Sequence, residues 1–183
     1  RIKKINFINN KVFSDSTLSD VISSSEYRWY EFWGGNDGFD KDRINYDKDL
    51  LKKYYFDNGY IDFQITSVNS SLVDNRKDFL VNFTLYEGER YKITKVEVNS
   101  TIRNLNKEKL FNLIDIRKGD WFSSEEIDES IKTISDETAE LGYAFVEVVP
   151  RIKKINKQNV EILLEIQEGT KIYIDRIQVS GNV

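Results

Sequence analysis

Apolar positions along this chain follow two rhythms, and the order of those rhythms recurs. The pattern Ile-x-x-apolar-x-apolar occurs as Ile2, Ile5, Phe7, as Ile93, Val96, Val98 and as Ile174, Ile177, Val179. A basic residue, Lys4, Lys95 or Arg176, precedes the central apolar position each time. The last two apolar positions alternate across one polar residue, the period of a half-buried strand. Each stretch predicts the first strand of a unit.

Helical spacing follows the first two of these strands. Leu18, Val21 and Ile22 lie at i, i+3, i+4, and Leu110, Leu113 and Ile114 repeat that stripe. Thr17 and Asn106 stand near the starts of these runs as candidate caps. A longer helix comes next. In the second copy Ser123 and Glu126 have capping-box spacing, and Ile127, Ile131, Ile134, Thr138 and Leu141 share one face. The matching face of the first copy is Leu50 or Leu51 with Tyr54 and Tyr55. Both long helices run into Gly-Tyr, at Asn58-Gly59-Tyr60 and Leu141-Gly142-Tyr143. Glycine supplies the left-handed residue that ends a helix, and the tyrosine can fold back over the last turn. Termination alone accounts for both glycines.

Two strands close each unit. Ile61, Phe63 and Ile65 alternate in the first copy and Ala144, Val146 and Val148 in the second. Phe79, Val81, Phe83 and Leu85 then match Val160, Ile162, Leu164 and Ile166 at one constant offset. Asp74 to Lys77 and Asn156 to Asn159 supply turn-forming residues between the paired strands. Each unit closes on Glu-Gly, at Glu87-Gly88 and Glu168-Gly169. The order is β-α-α-β-β twice, an α+β organisation. We divide the chain into units at 1–90 and 91–169, with a further first strand over 170–183. The join at Glu87 to Tyr91 is too short for a floppy linker, so direct contact between units is expected.

Composition narrows the chemistry. The 183 residues include no cysteine and no histidine, which removes disulfides, thiolate chemistry and the commonest general base near neutral pH. The net charge of −4 argues against an electrostatic nucleic-acid footprint. No apolar run approaches the roughly 20 residues of a membrane-spanning helix. The chain lacks a start methionine and a basic-then-apolar leader, so it reads as a piece of a longer protein. A non-enzymatic binding module needing no metal or cofactor is the expectation.

Five stretches carry a family resemblance. They are Lys-Ile-Asn-Phe-Ile-Asn-Asn (4–10), Asn-Gly-Tyr-Ile-Asp-Phe (58–63), Tyr-Glu-Gly-Glu-Arg-Tyr (86–91), Leu-Gly-Tyr-Ala-Phe (141–145) and Gln-Glu-Gly (167–169) running into Ile-Asp-Arg-Ile-Gln-Val-Ser-Gly-Asn (174–182). Their joint recurrence in register resembles the POTRA domain, and essentially the whole chain resembles the POTRA array of the BamA family of outer-membrane β-barrel assembly proteins. The resemblance implies tandem domains, each a three-stranded mixed sheet covered on one face by two helices. The aromatic insertion from Tyr27 to Asp40 implies the third domain of such an array, followed by the fourth and the start of the fifth.

The resemblance also implies a way of binding. In POTRA domains the middle strand in sequence lies at the sheet edge, where free backbone groups can accept another strand. Pro150, the only proline, falls on the second copy's equivalent strand and independently favours an edge there. The expected surface comprises Ile61, Asp62, Phe63, Gln64, Ile65, Thr66, Ser70 and Leu72, with Ala144, Val146 and Val148 second. Trp29, Tyr30 and Trp33 read either as an aromatic anchor for a partner or as a roof over their own core. The implied partners are unfolded outer-membrane β-barrel precursors and accessory lipoproteins, at the periplasmic face of a Gram-negative outer membrane. One rival reading is the POTRA arm of a two-partner secretion transporter or other barrel translocase. Another is a carboxylate-based cell-wall hydrolase, which needs two acids converging in a cleft.

Overall fold

In both units the strand that comes last in sequence sits in the middle of the sheet. The structure is a computed structural model and describes residues 2–23, 41–72 and 79–169. The first unit comprises β1 (Ile2–Ile8), α1 (Asp15–Ser23), α2 (Lys41–Asp57), β2 (Gln64–Leu72) and β3 (Phe79–Tyr86). The second comprises β4 (Lys92–Ser100), α3 (Lys107–Leu113), α4 (Ser124–Glu140), β5 (Val146–Lys154) and β6 (Asn159–Glu168). Strand orders are β1-β3-β2 and β4-β6-β5. The outer pair β1/β3, like β4/β6, is parallel, whereas β2/β3 and β5/β6 are antiparallel. A parallel pair needs a long crossover, which the two helices of each unit supply.

The three-residue step in the first-strand pattern has a structural cause. Register shifts between Ile2 and Lys4 opposite β3, and between Ile93 and Lys95 opposite β6. Each shift inserts one unpaired residue, a β-bulge, so a step of three on the outer strand matches a step of two on the inner one. Val96 thereby stays on the same face as buried Ile93.

Each unit has its own core. Phe7, Leu18, Ile44, Leu51, Tyr55, Phe63, Val81, Phe83 and Leu85 fill the first. The second gathers Ile93, Val98, Leu110, Ile114, Ile127, Ile134 and the inward residues of β6. Fully burying one such side chain stabilises by roughly 1.5–3 kcal/mol. The α2 face is Ile44, Asp47, Leu51 and Tyr55, so Leu51 rather than Leu50 enters the core, and Tyr54 only flanks it. On α4, Ile127, Ile134 and Thr138 are buried as the pattern predicts, but Leu141 is exposed. Leu141 is the C-cap, past the last turn, and leaves the helix face. Leu113 ends α3 and is exposed too.

Helix ends repeat closely. Gly59 N–H donates to Phe56 O and Tyr60 N–H to Tyr55 O; Gly142 N–H donates to Ala139 O and Tyr143 N–H to Thr138 O. Both are Schellman motifs. Asn106 caps α3 through Lys109 N–H, and Ser123 caps α4 through Glu126 N–H. At α1 the cap is Ser14, whose Oγ accepts from Thr17 N–H at 3.1 Å, and not Thr17. Thr17 already lies inside the first turn, where its N–H is one of the donors needing a partner.

Candidate functional site

Inserting the last strand into the middle leaves β1, β2, β4 and β5 with one free side each, and those sides differ. The start of β4 is engaged: Ile93 N–H donates to Asp120 O, Gly119 N–H to Ile93 O and Phe122 N–H to Tyr91 O. Along β5, Pro150 lacks an N–H, and Arg151, Lys153 and Lys154 follow it on an exposed stretch. Proline and lysine are the usual protection of an edge against unwanted pairing. The helix α4 also packs along β5. By contrast β2, Gln-Ile-Thr-Ser-Val-Asn-Ser-Ser-Leu, has neither a charge nor a proline over its 9 residues. Of the four edge strands it is the one with no such protection in its sequence.

A bulge divides β2. Register shifts between Ile65 and Ser67 opposite β3, leaving Thr66 as the extra residue, its Oγ1 donating to Thr84 O at 3.1 Å. Pairing is regular from Ser67 to Leu72. Ile65 and Val68 lean onto the first core, while Leu72 is 59% exposed.

Gln64, Ile65, Thr66, Ser70 and Leu72 therefore lie on the edge strand, but Ile61, Asp62 and Phe63 do not. The strand begins at Gln64 because the Schellman turn continues through Phe63, whose N–H donates to Tyr60 O. Phe63 is 3% exposed and stacks on Tyr55 with ring centroids 3.9 Å apart, so it is core. In the second unit Ala144 precedes the strand, exposed, whereas Val146 and Val148 are on β5 and turn toward the second core. Trp29, Tyr30 and Trp33 lie outside the described residues, as do Asp74 to Lys77 and residues 170–183.

Ile61 and Asp62 instead build the joint between the units. Ile61 packs against the second core. Asp62 accepts a 2.5 Å hydrogen bond from Tyr91 Oη and pairs with Lys154 Nζ at the end of β5. Burial pushes the Asp62 carboxyl up, but the hydrogen bonds from Lys154 and Tyr91 and the Lys154 charge outweigh it, and the net shift is downward. The same hydrogen bond, with burial, pushes the Tyr91 phenol up to about 12. Arg90 Nε donates to Asn58 O at 2.9 Å while its guanidinium lies 4.3 Å from the Trp121 ring centroid. Glu125 N–H, in the first turn of α4, donates to Asp57 Oδ1 at 2.9 Å.

Gly59 has two roles here. Its φ is +94°, and a Cβ would meet Arg90 Cγ at 3.0 Å and Phe122 O at 3.2 Å. Gly142 has a φ of +93° with nothing within 4 Å. Termination thus accounts for Gly142, whereas Gly59 also admits the second unit. Glu87, 9% exposed, accepts from Lys11 N–H, Val12 N–H and Tyr55 Oη, tying the segment after β1 to α2.

Among the described residues no group of three or more His, Cys, Asp or Glu is placed to hold a metal ion, and no helix is long and apolar enough to cross a membrane. The geometry offers a backbone ladder position beside β2.

Comparison with known proteins fits this architecture. The family model POTRA, surface antigen variable number repeat, matches residues 1–88 and 91–169. The outer membrane protein assembly factor BamA of Neisseria meningitidis is 25% identical over 183 residues, covering 100% of this chain and 23% of that protein. BamA of Neorickettsia risticii is 29% identical over 181 residues, covering 99% of this chain and 24% of its own length. The chain thus spans about a quarter of these curated relatives. The crystal structure of Haemophilus influenzae BamA POTRA3-5 superposes with a TM-score of 0.72 at 20% identity, covering 100% of this chain and 72% of that one. Two matched repeats, each with its own mixed sheet and helix pair, place this chain in the POTRA family.

Proposed function

We propose that this chain is the periplasmic segment of a BamA-like outer-membrane assembly factor, and that β2 receives extended segments of unfolded β-barrel precursors as an added strand. The observation that carries the reading is the contrast between edges. β2 is uncharged and proline-free, whereas β5 has Pro150 and three basic residues, and the start of β4 is hydrogen-bonded to the 119–122 segment. Its regular part, Ser67 to Leu72, offers backbone groups to any client, because ladder bonds do not depend on side-chain identity. Such pairing is weak, since an extended client gives up chain entropy on docking. Weak, promiscuous pairing suits a factor that hands clients on. The module works without catalysis or cofactor, and other surfaces of the two units dock accessory lipoproteins. The aromatic segment around Trp29, Tyr30 and Trp33 belongs to the third domain of the array in this reading, with the fourth and the beginning of the fifth after it.

An NMR titration of the chain with peptides copied from barrel strands tests the reading. Shift changes centred on Ser67 to Leu72 are expected. Changes confined to other surfaces would remove the edge-pairing account.

A further inference from the structure

The two sheets differ on the face turned away from their cores. In the second unit one row across the strands is Glu97, Leu163 and Arg151, and the neighbouring row includes Glu165, which pairs with Arg151 at 2.5 Å. The equivalent face of the first unit carries uncharged amides at its centre, flanked by a row with Lys4 and Leu80 and a row with Ile8. Asn6 pairs in register with Asn82, and Asn82 with Asn69, so three asparagines form one row across β1, β3 and β2. Ile8, Thr84 and Ser67 make the next row. Asn6 Nδ2 donates to Asn82 Oδ1 at 3.1 Å, which fixes the first two amides. An amide has two N–H donors and two acceptor lone pairs, so Asn82 keeps both donors after accepting from Asn6. Asn69, exposed at the edge end of the row, has no side-chain hydrogen bond among the described residues.

We propose that this row reads the register of the strand added to β2: an incoming segment sets an asparagine or glutamine beside Asn69. The inference rests on the edge-pairing reading and adds a side-chain preference to it. Stacked amides across paired strands hydrogen-bond to one another, and an added strand extends the ladder by one member. Side chains alternate, so the two neighbours of the client amide face the other side, next to Val68 and Ser70. Val68 is half-buried on the core side, which favours apolar residues there. The preferred client therefore alternates apolar, amide, apolar. Because a one-residue slip would put the amide on the core side, the row penalises the wrong register. Its central position in the run from Ser67 to Leu72 leaves regular pairing on both sides.

Two synthetic peptides of about nine residues test this, one alternating serine with valine and one with asparagine replacing the central serine. Both are titrated into the 183-residue chain and its Asn69→Ala variant. The asparagine peptide should bind the unaltered chain about two- to fivefold more tightly, the range of one good cross-strand pair. The difference should vanish in N69A, with the serine peptide unchanged. Equal binding of both peptides to the unaltered chain, with shifts on β2, would overturn the register inference and leave edge pairing standing. A difference that survives in N69A would overturn it as well. If neither peptide perturbs β2, the edge-pairing reading falls, and this inference with it.

Discussion

The phenol of Tyr91, at the start of the second unit, donates a 2.5 Å hydrogen bond to Asp62, in the turn that leads to the edge strand of the first. Lys154, the last residue of β5, reaches the other oxygen of the same carboxylate. One side chain thus gathers the end of one candidate edge, the beginning of the other and the join between units.

That carboxylate makes the joint pH-dependent, with a defined sign. Asp62 has a lowered pKa, so its contribution is present above the ordinary aspartate value of about 4 and is lost as pH falls through its depressed folded value. Tyr91 is raised to about 12, so its contribution is present below the ordinary tyrosine value of about 10 and is lost as pH rises through about 12. Asp47 acts separately: burial, partly countered by Arg43, raises it to about 6, so the preference it gives the fold is full below about 4 and gone above about 6. A Tyr91→Phe variant should lose about 1 kcal/mol, the net value of one hydrogen bond, and show no Tyr91-linked loss of stability between pH 10 and 12. Denaturant titrations of both proteins across pH check this.

Gly59 and Gly142 share a conformation but not a neighbourhood. Alanine at either should cost about 1–2 kcal/mol for the left-handed backbone. At Gly59 the added Cβ also crowds Arg90 and a fixed backbone oxygen, Phe122 O. G59A should therefore cost more than G142A and broaden the distribution of angles between the units, while G142A leaves it unchanged. Thermal unfolding and residual dipolar couplings would separate the two effects.

Phe63 belongs to the core, stacked on Tyr55. Its replacement by alanine should destabilise by about 3–5 kcal/mol, and amide exchange should accelerate across the first unit far more than across the second. An unchanged melting profile with weakened partner binding would return Phe63 to the binding surface.

Charge should close the β2 edge at little structural cost. Ser67→Lys with Ser71→Lys places two lysines on exposed positions of β2, and stability should stay within about 0.5 kcal/mol. Binding of barrel-strand peptides should fall to the level of background, because edge lysines oppose pairing. The companion change Glu147→Lys on β5 should leave peptide binding unaltered.

The repeat, the helix caps at Asn106 and Ser123 and both Gly-Tyr stops were legible in the sequence, because each depends on local spacing. The β2 boundary was not. The alternation of Ile61, Phe63 and Ile65 reads as a strand, yet the turn that ends α2 occupies Ile61 to Phe63, and the second unit draws Ile61 into its own core. Neither Asp62 nor Gly59 carries a sequence signal for a joint, since their partners Lys154 and Arg90 come from elsewhere in the chain. Glu87 was legible as part of a closing Glu-Gly, but its burial beneath Lys11, Val12 and Tyr55 depends on three-dimensional packing. Its counterpart Glu168 is exposed, which shows that the same dipeptide need not do the same thing twice.

The most direct measurement is amide hydrogen exchange of the chain saturated with a barrel-strand peptide. Strand addition predicts that amides in the run Ser67 to Leu72 whose N–H groups point away from β3 become protected, and that the amides of β5 do not change. Saturating peptide with unchanged exchange along β2 would contradict it.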